Sequence, residues 1–359
     1  MSSRNSKIKS QVSPENILED LPESSVSFEL AKRLGKDKRI KKILSILPDL
    51  SESDAPVIIQ GESGVGKELI AVTIHKLSKR HRYPMAKISC SAFSEEALAF
   101  ELFGCRVNSL HNIKEDIVGW IERANGGSLF LDEIDCLPQS LQIMLFRAFE
   151  DGEYEPLGAE RPEPLDVRLI TATEIDLENR VREGMFKDNL YYWLNVFQIR
   201  LPPLRERKGD ILFLAHQNIQ RLNQKGEKVI NDIDLDALQV LKMYLYQGNI
   251  KELENIIQHA HILAKGKRIC LGDLPARVVQ RAGSEVVIPQ INGRTMGEVE
   301  KDVILEALRR NDWNRKKAAE ELGINRTTLW RKMKRMGYDS AIRSVSASLP
   351  SPREEIEED

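Results

Sequence analysis

Apolar positions along this chain change their period several times, and the changes divide it into regions. From about residue 28, short runs of consecutive apolar residues alternate with stretches of helical spacing. The runs 57–60, 86–90, 128–132, 167–172 and 197–200 predict strands. Between the first two, Ile70, Ala71, Ile74 and Leu77 recur at a helical period. Strands that are apolar on both faces and separated by helices predict a mostly parallel sheet sandwiched between helices, an α/β fold. From 205 to 282 the strand pattern stops, and helices are expected over 210–223, 234–246, 249–264 and 273–281, forming a small helical lid.

Gly283, Pro289 and Gly293 then mark a linker over 283–295. Within 296–338, Val299, Val303, Ala307 and Leu308 outline one helix. Asn314 caps a second, R-K-K-A-A-E-E-L, which stops at Gly323. A third begins at Arg326 and turns Leu329 and Met333 inward, completing a small all-α domain. Residues 1–27 and 339–359 lack apolar periodicity and read as tails, the second acidic. The first is too short for a sensory domain, so a signal is expected to enter through a partner or through expression level.

Length and charge refine this division. The chain has 359 residues, enough for two or three domains, and a net charge of −2 that conceals a basic cluster at 315–335. Its four cysteines lie far apart without a C-x-x-C pair, which argues against a disulfide framework or a zinc site. No run is long enough to span a membrane. A soluble, cytoplasmic protein is expected.

The chemistry concentrates in three places. The first is V-I-I-Q-G-E-S-G-V-G-K-E at 57–68, a strand followed by Gly61, Glu62, Ser63, Gly64, Val65, Gly66, Lys67 and Glu68, then a helix. Glycines let backbone N–H groups close around a phosphate, a helix N-terminus adds partial positive charge, and Lys67 adds a full one. ATP with Mg²⁺ is the expected ligand, although Glu68 stands where a Ser or Thr usually helps hold the metal. The second is Asp132-Glu133 at the end of the third strand, Asp132 on the metal side and Glu133 as the base that orients water. The third is the last helix: after a glycine turn, Arg326, Thr327, Thr328, Arg331, Lys332 and Arg335 are left to face outward, the signature of a helix-turn-helix DNA reader. Its first turn is expected at base edges, with the basic side chains on phosphates.

Over residues 28–338 the chain resembles the sigma-54-dependent bacterial transcription activators. The shared blocks are G-E-S-G-V-G-K-E at 61–68, E-L-F-G at 101–104, G-G-S-L-F-L-D-E-I at 126–134, L-P-P-L-R-E-R-K at 201–208 and G-N-I-K-E-L-E-N at 248–255, with a Fis-like helix-turn-helix after them. The resemblance implies an AAA+ ATPase that forms a ring with nucleotide between subunits, binds enhancer DNA and remodels RNA polymerase holding sigma-54. It also implies a second-sensor role for Lys251, where the family has Arg.

Against that pattern several working positions differ. Where the family carries G-A-F-T-G-A to touch sigma-54, this chain reads Asn108, Ser109, Leu110, His111, Asn112 and Ile113. The two arginine-finger positions are Lys187 and Trp193. A finger of this kind is worth about 10³–10⁵ in rate, and lysine lacks its planar fork. Glu174 replaces a sensor Asn, and Ser89 an Asn that switches the catalytic Glu. Two functions are consistent with this. One is a DNA-binding regulator that binds nucleotide chiefly to control assembly, as a homo-oligomer or in a mixed ring with an intact homologue. The other is an ATP-hydrolysing activator in which Lys187, Arg182, Arg205 or Arg207 replaces the fingers. A nucleic-acid motor is disfavoured by the order of the domains.

Overall fold

The computed structural model describes residues 23–107, 116–226, 228–284, 304, 307–308, 311, 314–322 and 324–335. The contact loop 108–113, most of the linker, most of the helix expected around 299–308, and the tails lie outside them, except that the first helix begins at Glu23, inside the stretch read as an N-terminal tail. The chain forms two compact units divided at Gly283 and Ser284.

In the first unit, α1 (Glu23–Leu34) and α2 (Lys38–Glu52) precede β1 (Val57–Gln60) and α3 (Lys67–Lys76). Then follow β2 (Met85–Ser89), α4 (Glu95–Phe103), α5 (Trp120–Arg123), β3 (Ser128–Asp132) and α6 (Gln139–Asp151). A small antiparallel pair, β4 (Glu153–Tyr154) with β5 (Glu163–Pro164), leads to β6 (Arg168–Thr173), α7 (Leu177–Arg182), α8 (Asp188–Leu194) and β7 (Phe197–Arg200). The five long strands pair in parallel in the order β2-β3-β6-β1-β7, each within a residue of the sequence expectation.

The alternation of β1 shows why these runs are apolar throughout. Val57 and Ile59 enter the core shared with α1, α2 and the lid, whereas Ile58 enters the opposite core with Leu129 and Leu131. Each such burial contributes roughly 1.5–3 kcal/mol. Buried polar groups brace this sheet. Arg168, 1 % exposed, donates to the carbonyls of Leu50 and Ser51, satisfying the C-terminal end of α2. His75 on α3 meets the Ser128 hydroxyl at 2.9 Å.

The lid comprises α9 (Gly209–Lys225), β8 (Asp232–Ile233), α10 (Leu235–Met243), α11 (Asn249–Leu263), β9 (Arg268–Ile269) and α12 (Ala276–Ser284). Sequence reading placed these helices and missed the short β8–β9 pair that ties the two halves of the lid together.

The second unit contains α13 (Arg315–Glu321) and α14 (Arg326–Arg335). Asn314 caps α13 as expected, its side-chain oxygen accepting from the N–H groups of Lys316 and Lys317. Ile304, Ala307, Leu308, Ala318, Ala319, Leu329 and Met333 form the core of this unit.

Candidate nucleotide site and nucleic-acid helix

All five long strands run the same way, so the loops after β1, β3 and β6 emerge at one edge of the sheet. Open parallel sheets bind ligands at that edge. Gly61 starts the loop, its N–H donating to the Thr173 carbonyl at the end of β6. Gly64 and Gly66 have φ of +72° and +107°, the left-handed region that glycine enters without strain. A Cβ at Gly64 would meet the Gly248 carbonyl oxygen, and one at Gly66 the Leu34 side chain. Val65 is fully buried and anchors the loop. The turn delivers the chain into α3, whose first residue is Lys67.

Gly64, Gly66, Lys67, Asp132, Glu133 and Lys251 line one cleft of about 320 Å³, along with Ser63, Glu68 and Glu174. Sequence reading assigned most of these residues to one site, and the fold brings them together. Lys67, only 7 % exposed, donates to the Gly61 carbonyl (2.8 Å), the Glu62 carbonyl (3.3 Å) and Glu174 (3.4 Å). Glu68 also borders the cleft and pairs with Lys87 at 3.1 Å.

The adjacent carboxylates differ in environment. Burial raises the pKa of Asp132, an effect that Lys67 opposes. Glu133 lies below the ordinary carboxylate range because the hydroxyls of Ser91 and Ser89 donate to it, the latter at 2.7 Å. The two neighbouring carboxyls are thus shifted in opposite directions, Asp132 upward by burial and Glu133 downward by its hydroxyl donors. The Glu133 backbone sits at φ +54°, a conformation that non-glycine residues rarely adopt.

The side chain of Glu62 is engaged by the lid-side residues Arg205 and Asn249. Arg205 grips its carboxylate with two hydrogen bonds of 2.6 and 2.7 Å, and Asn249 donates to it at 3.2 Å. Asn249 is fully buried and also donates to the Ser63 carbonyl (2.9 Å) while accepting from the Leu204 N–H (2.8 Å). The Gly64 carbonyl accepts from Ile250 (3.0 Å) and Lys251 (3.3 Å), so the lid helix α11 begins on the loop itself. The sequence marks neither Asn249 nor Ser91, and it marks Arg205 as a candidate finger rather than as the partner of Glu62; Asn249 and Arg205 lie inside the shared blocks at 248–255 and 201–208.

Lys187 and Trp193 lie outside this cleft, on and next to α8. The Lys187 N–H donates to Gln142 at 2.7 Å. Trp193, half-buried, packs against the core of this domain, its ring centroid 5.2 Å from that of Phe149. On α14, Arg326, Thr327, Thr328 and Arg331 are exposed and Lys332 is half-buried. Arg335 ends that helix. Asn325 accepts from both the N–H and the hydroxyl of Thr327, so this threonine is partly engaged in its own helix start.

A parallel sheet with a glycine loop and lysine after its first strand, an acidic pair after the third and a helical lid over the loop defines an AAA+ P-loop domain, here followed by a separate helix-turn-helix unit. Family models match along the same divisions: the Sigma-54 interaction domain over residues 33–200, the AAA+ ATPase lid domain over 205–288, and the bacterial regulatory protein, Fis family, over 295–336. Regulatory protein AtoC of Escherichia coli is 37 % identical over 323 residues, covering 88 % of this chain and 70 % of the relative. Transcriptional regulatory protein ZraR of Escherichia coli is 37 % identical over 303 residues, covering 84 % and 68 %. Among solved structures, NtrX from Brucella abortus in complex with ADP is 26 % identical with a TM-score of 0.66, covering 88 % of this chain and 72 % of that one. The chain belongs to the sigma-54-dependent transcriptional activators, with an ATP-binding AAA+ domain and a Fis-type DNA-binding domain. No helix among the described residues is long and apolar enough to cross a membrane.

Proposed function

We propose that this chain is a sequence-specific DNA-binding regulator whose AAA+ domain binds ATP chiefly to control assembly, with weakened hydrolysis and without direct sigma-54 contact through its own 108–113 loop. The observation that carries this reading is the position of Trp193. Where the family resemblance implies an arginine finger, this chain packs a half-buried indole against its own core beside Phe149. An indole has no charge with which to stabilise a phosphoryl transition state.

The substitutes bear on the second reading, an ATP-hydrolysing activator. Arg205 is committed to Glu62 in its own subunit, and Arg207 is buried with its guanidinium on the Leu34 carbonyl. Arg182 is 69 % exposed at the end of α7, and Lys187 is half-buried. These two are the residues that favour this second reading, together with the intact Lys67, Asp132 and Glu133.

The residues of the cleft fit a nucleotide with magnesium. Lys67 and the loop N–H groups would hold phosphates. Asp132 would supply the protein's oxygen, the other ligands coming from phosphates and water. When bound, the metal would neutralise charge on the phosphates. Glu133, held by Ser89 and Ser91, would orient a water. NtrX crystallises with ATP as well as with ADP, which supports both ligands here. Arg326, Thr328 and Arg331 would meet DNA from α14, Lys332 and Arg335 adding positive charge along the same helix. Assembly would be a homo-oligomer or a ring mixed with an intact relative that supplies both fingers and contact loop.

ATPase rates measured across protein concentration, alone and mixed with an intact relative, test this. Activity confined to the mixture is expected. Hydrolysis by the pure chain at a rate typical of its relatives, with open-complex formation by sigma-54 polymerase, would overturn it.

A further inference from the structure

We infer that Glu174 makes this site selective for a nucleoside diphosphate over the triphosphate, an inference that rests on the nucleotide-site reading above. Glu174 immediately follows β6, and its carboxylate stands 3.4 Å from the Lys67 ammonium. That ammonium is the group the loop offers to the terminal phosphates. Glu174 therefore holds the charge position that a γ-phosphate would take.

Of the five carboxylates in the cleft lining, Glu68 pairs with Lys87 and Glu254 with Arg221 outside it, which leaves Asp132, Glu133 and Glu174 as the acidic groups around Lys67. Asp132 and Glu133 line the same cleft, Lys67 acts electrostatically on both, and Glu174 acts on Asp132. A diphosphate fills the glycine loop and needs little of that side. A triphosphate must bring another negative charge against Glu174 and displace it from Lys67.

Two like charges at such range repel strongly in a protein interior, but 43 % of the Glu174 side-chain surface remains in solvent, which screens most of the effect. A preference for the diphosphate of about tenfold remains. A divalent cation on the phosphates offsets it, so the preference is greatest without metal.

The test uses the full chain and fluorescent ADP and ATP analogues titrated in EDTA, comparing wild type with Glu174→Gln, which keeps shape and removes charge. The wild type is expected to bind ADP about tenfold more tightly than ATP, and Glu174→Gln to bring the two within about twofold. Independently of any variant, the wild-type preference should shrink as KCl rises from about 50 to about 300 mM, because the Debye length shortens. Equal ADP-to-ATP ratios in wild type and variant, with no salt dependence, would overturn the role of Glu174 and leave the nucleotide site standing. Binding of neither nucleotide, with Lys67→Ala indistinguishable from wild type, would overturn both.

Discussion

Asn249 offers the most direct test of how loop and lid hold together. Replacing it with alanine removes the acceptor of the Leu204 N–H and the donors to Ser63 and Glu62, all within a fully buried position. The Leu204 N–H stays inside the protein without its partner, at a cost of about 1–3 kcal/mol. Asn249 also sits at φ +49°, where alanine costs about 1 kcal/mol more than asparagine. Together these predict a loss near 3 kcal/mol, read as a lower urea midpoint at unchanged slope. Asn249→Gly separates the contributions. Glycine accepts the backbone angle, so it should recover about 1 kcal/mol relative to alanine while leaving the hydrogen bonds broken. Asn249→Asp keeps the acceptor for Leu204 but sets a second carboxylate beside Glu62, and should be at least as damaging as alanine. Nucleotide affinity should fall in all three variants. A loss below about 1 kcal/mol for alanine, or a glycine variant less stable than alanine, would refute the argument.

Other consequences follow from the same contacts. Burial holds the His75 imidazole at about 4 against its ordinary 6.5, so the unfolded chain binds this proton first and stability declines as pH falls through that window, by about 3 kcal/mol. His75→Gln should flatten that part of the denaturation-versus-pH profile. Ser89→Ala with Ser91→Ala returns Glu133 toward its ordinary range; the stability that its depressed pKa supplies above about 4.5, and that is lost as pH falls through the folded value, should disappear from urea midpoints measured above that pH. On α14, Arg331→Ala should reduce the slope of log affinity for DNA against log salt by about 0.9, whereas Thr328→Ala should change sequence preference with the slope retained, as followed by fluorescence anisotropy.

The strands were legible because each is buried on both faces, so Val57, Ile58 and Ile59 gave a continuous apolar signal. The site was legible where chemistry is local, as in the loop at 61–68 and the Asp132-Glu133 pair. What escaped was contact between segments distant in sequence. Asn249 reaches Ser63 across 186 positions, and Arg205 reaches Glu62 across 143. No local period encodes either. The first helix was cut short at residue 28 because Glu23, Ser24, Ser25 and Ser27 resemble a tail, although the same helix carries Leu30 and Leu34 into the core. Thr327 was read as a free base contact, yet part of its hydrogen-bonding capacity serves its own helix start.

The two hydrogen bonds that the Gly64 carbonyl accepts from the first turn of α11 have a consequence outside the cleft. If wrapping a phosphate shifts that carbonyl, α11 shifts with it, and the relation runs equally in reverse. In the proposed ring, a neighbour that favoured one orientation of the lid would change this chain's nucleotide affinity by the same factor that nucleotide changes the grip of that neighbour. Turnover is not required for such an exchange. A subunit that never cleaves ATP can still report its occupancy to the next one, and nucleotide concentration alone can then set how readily the assembly forms.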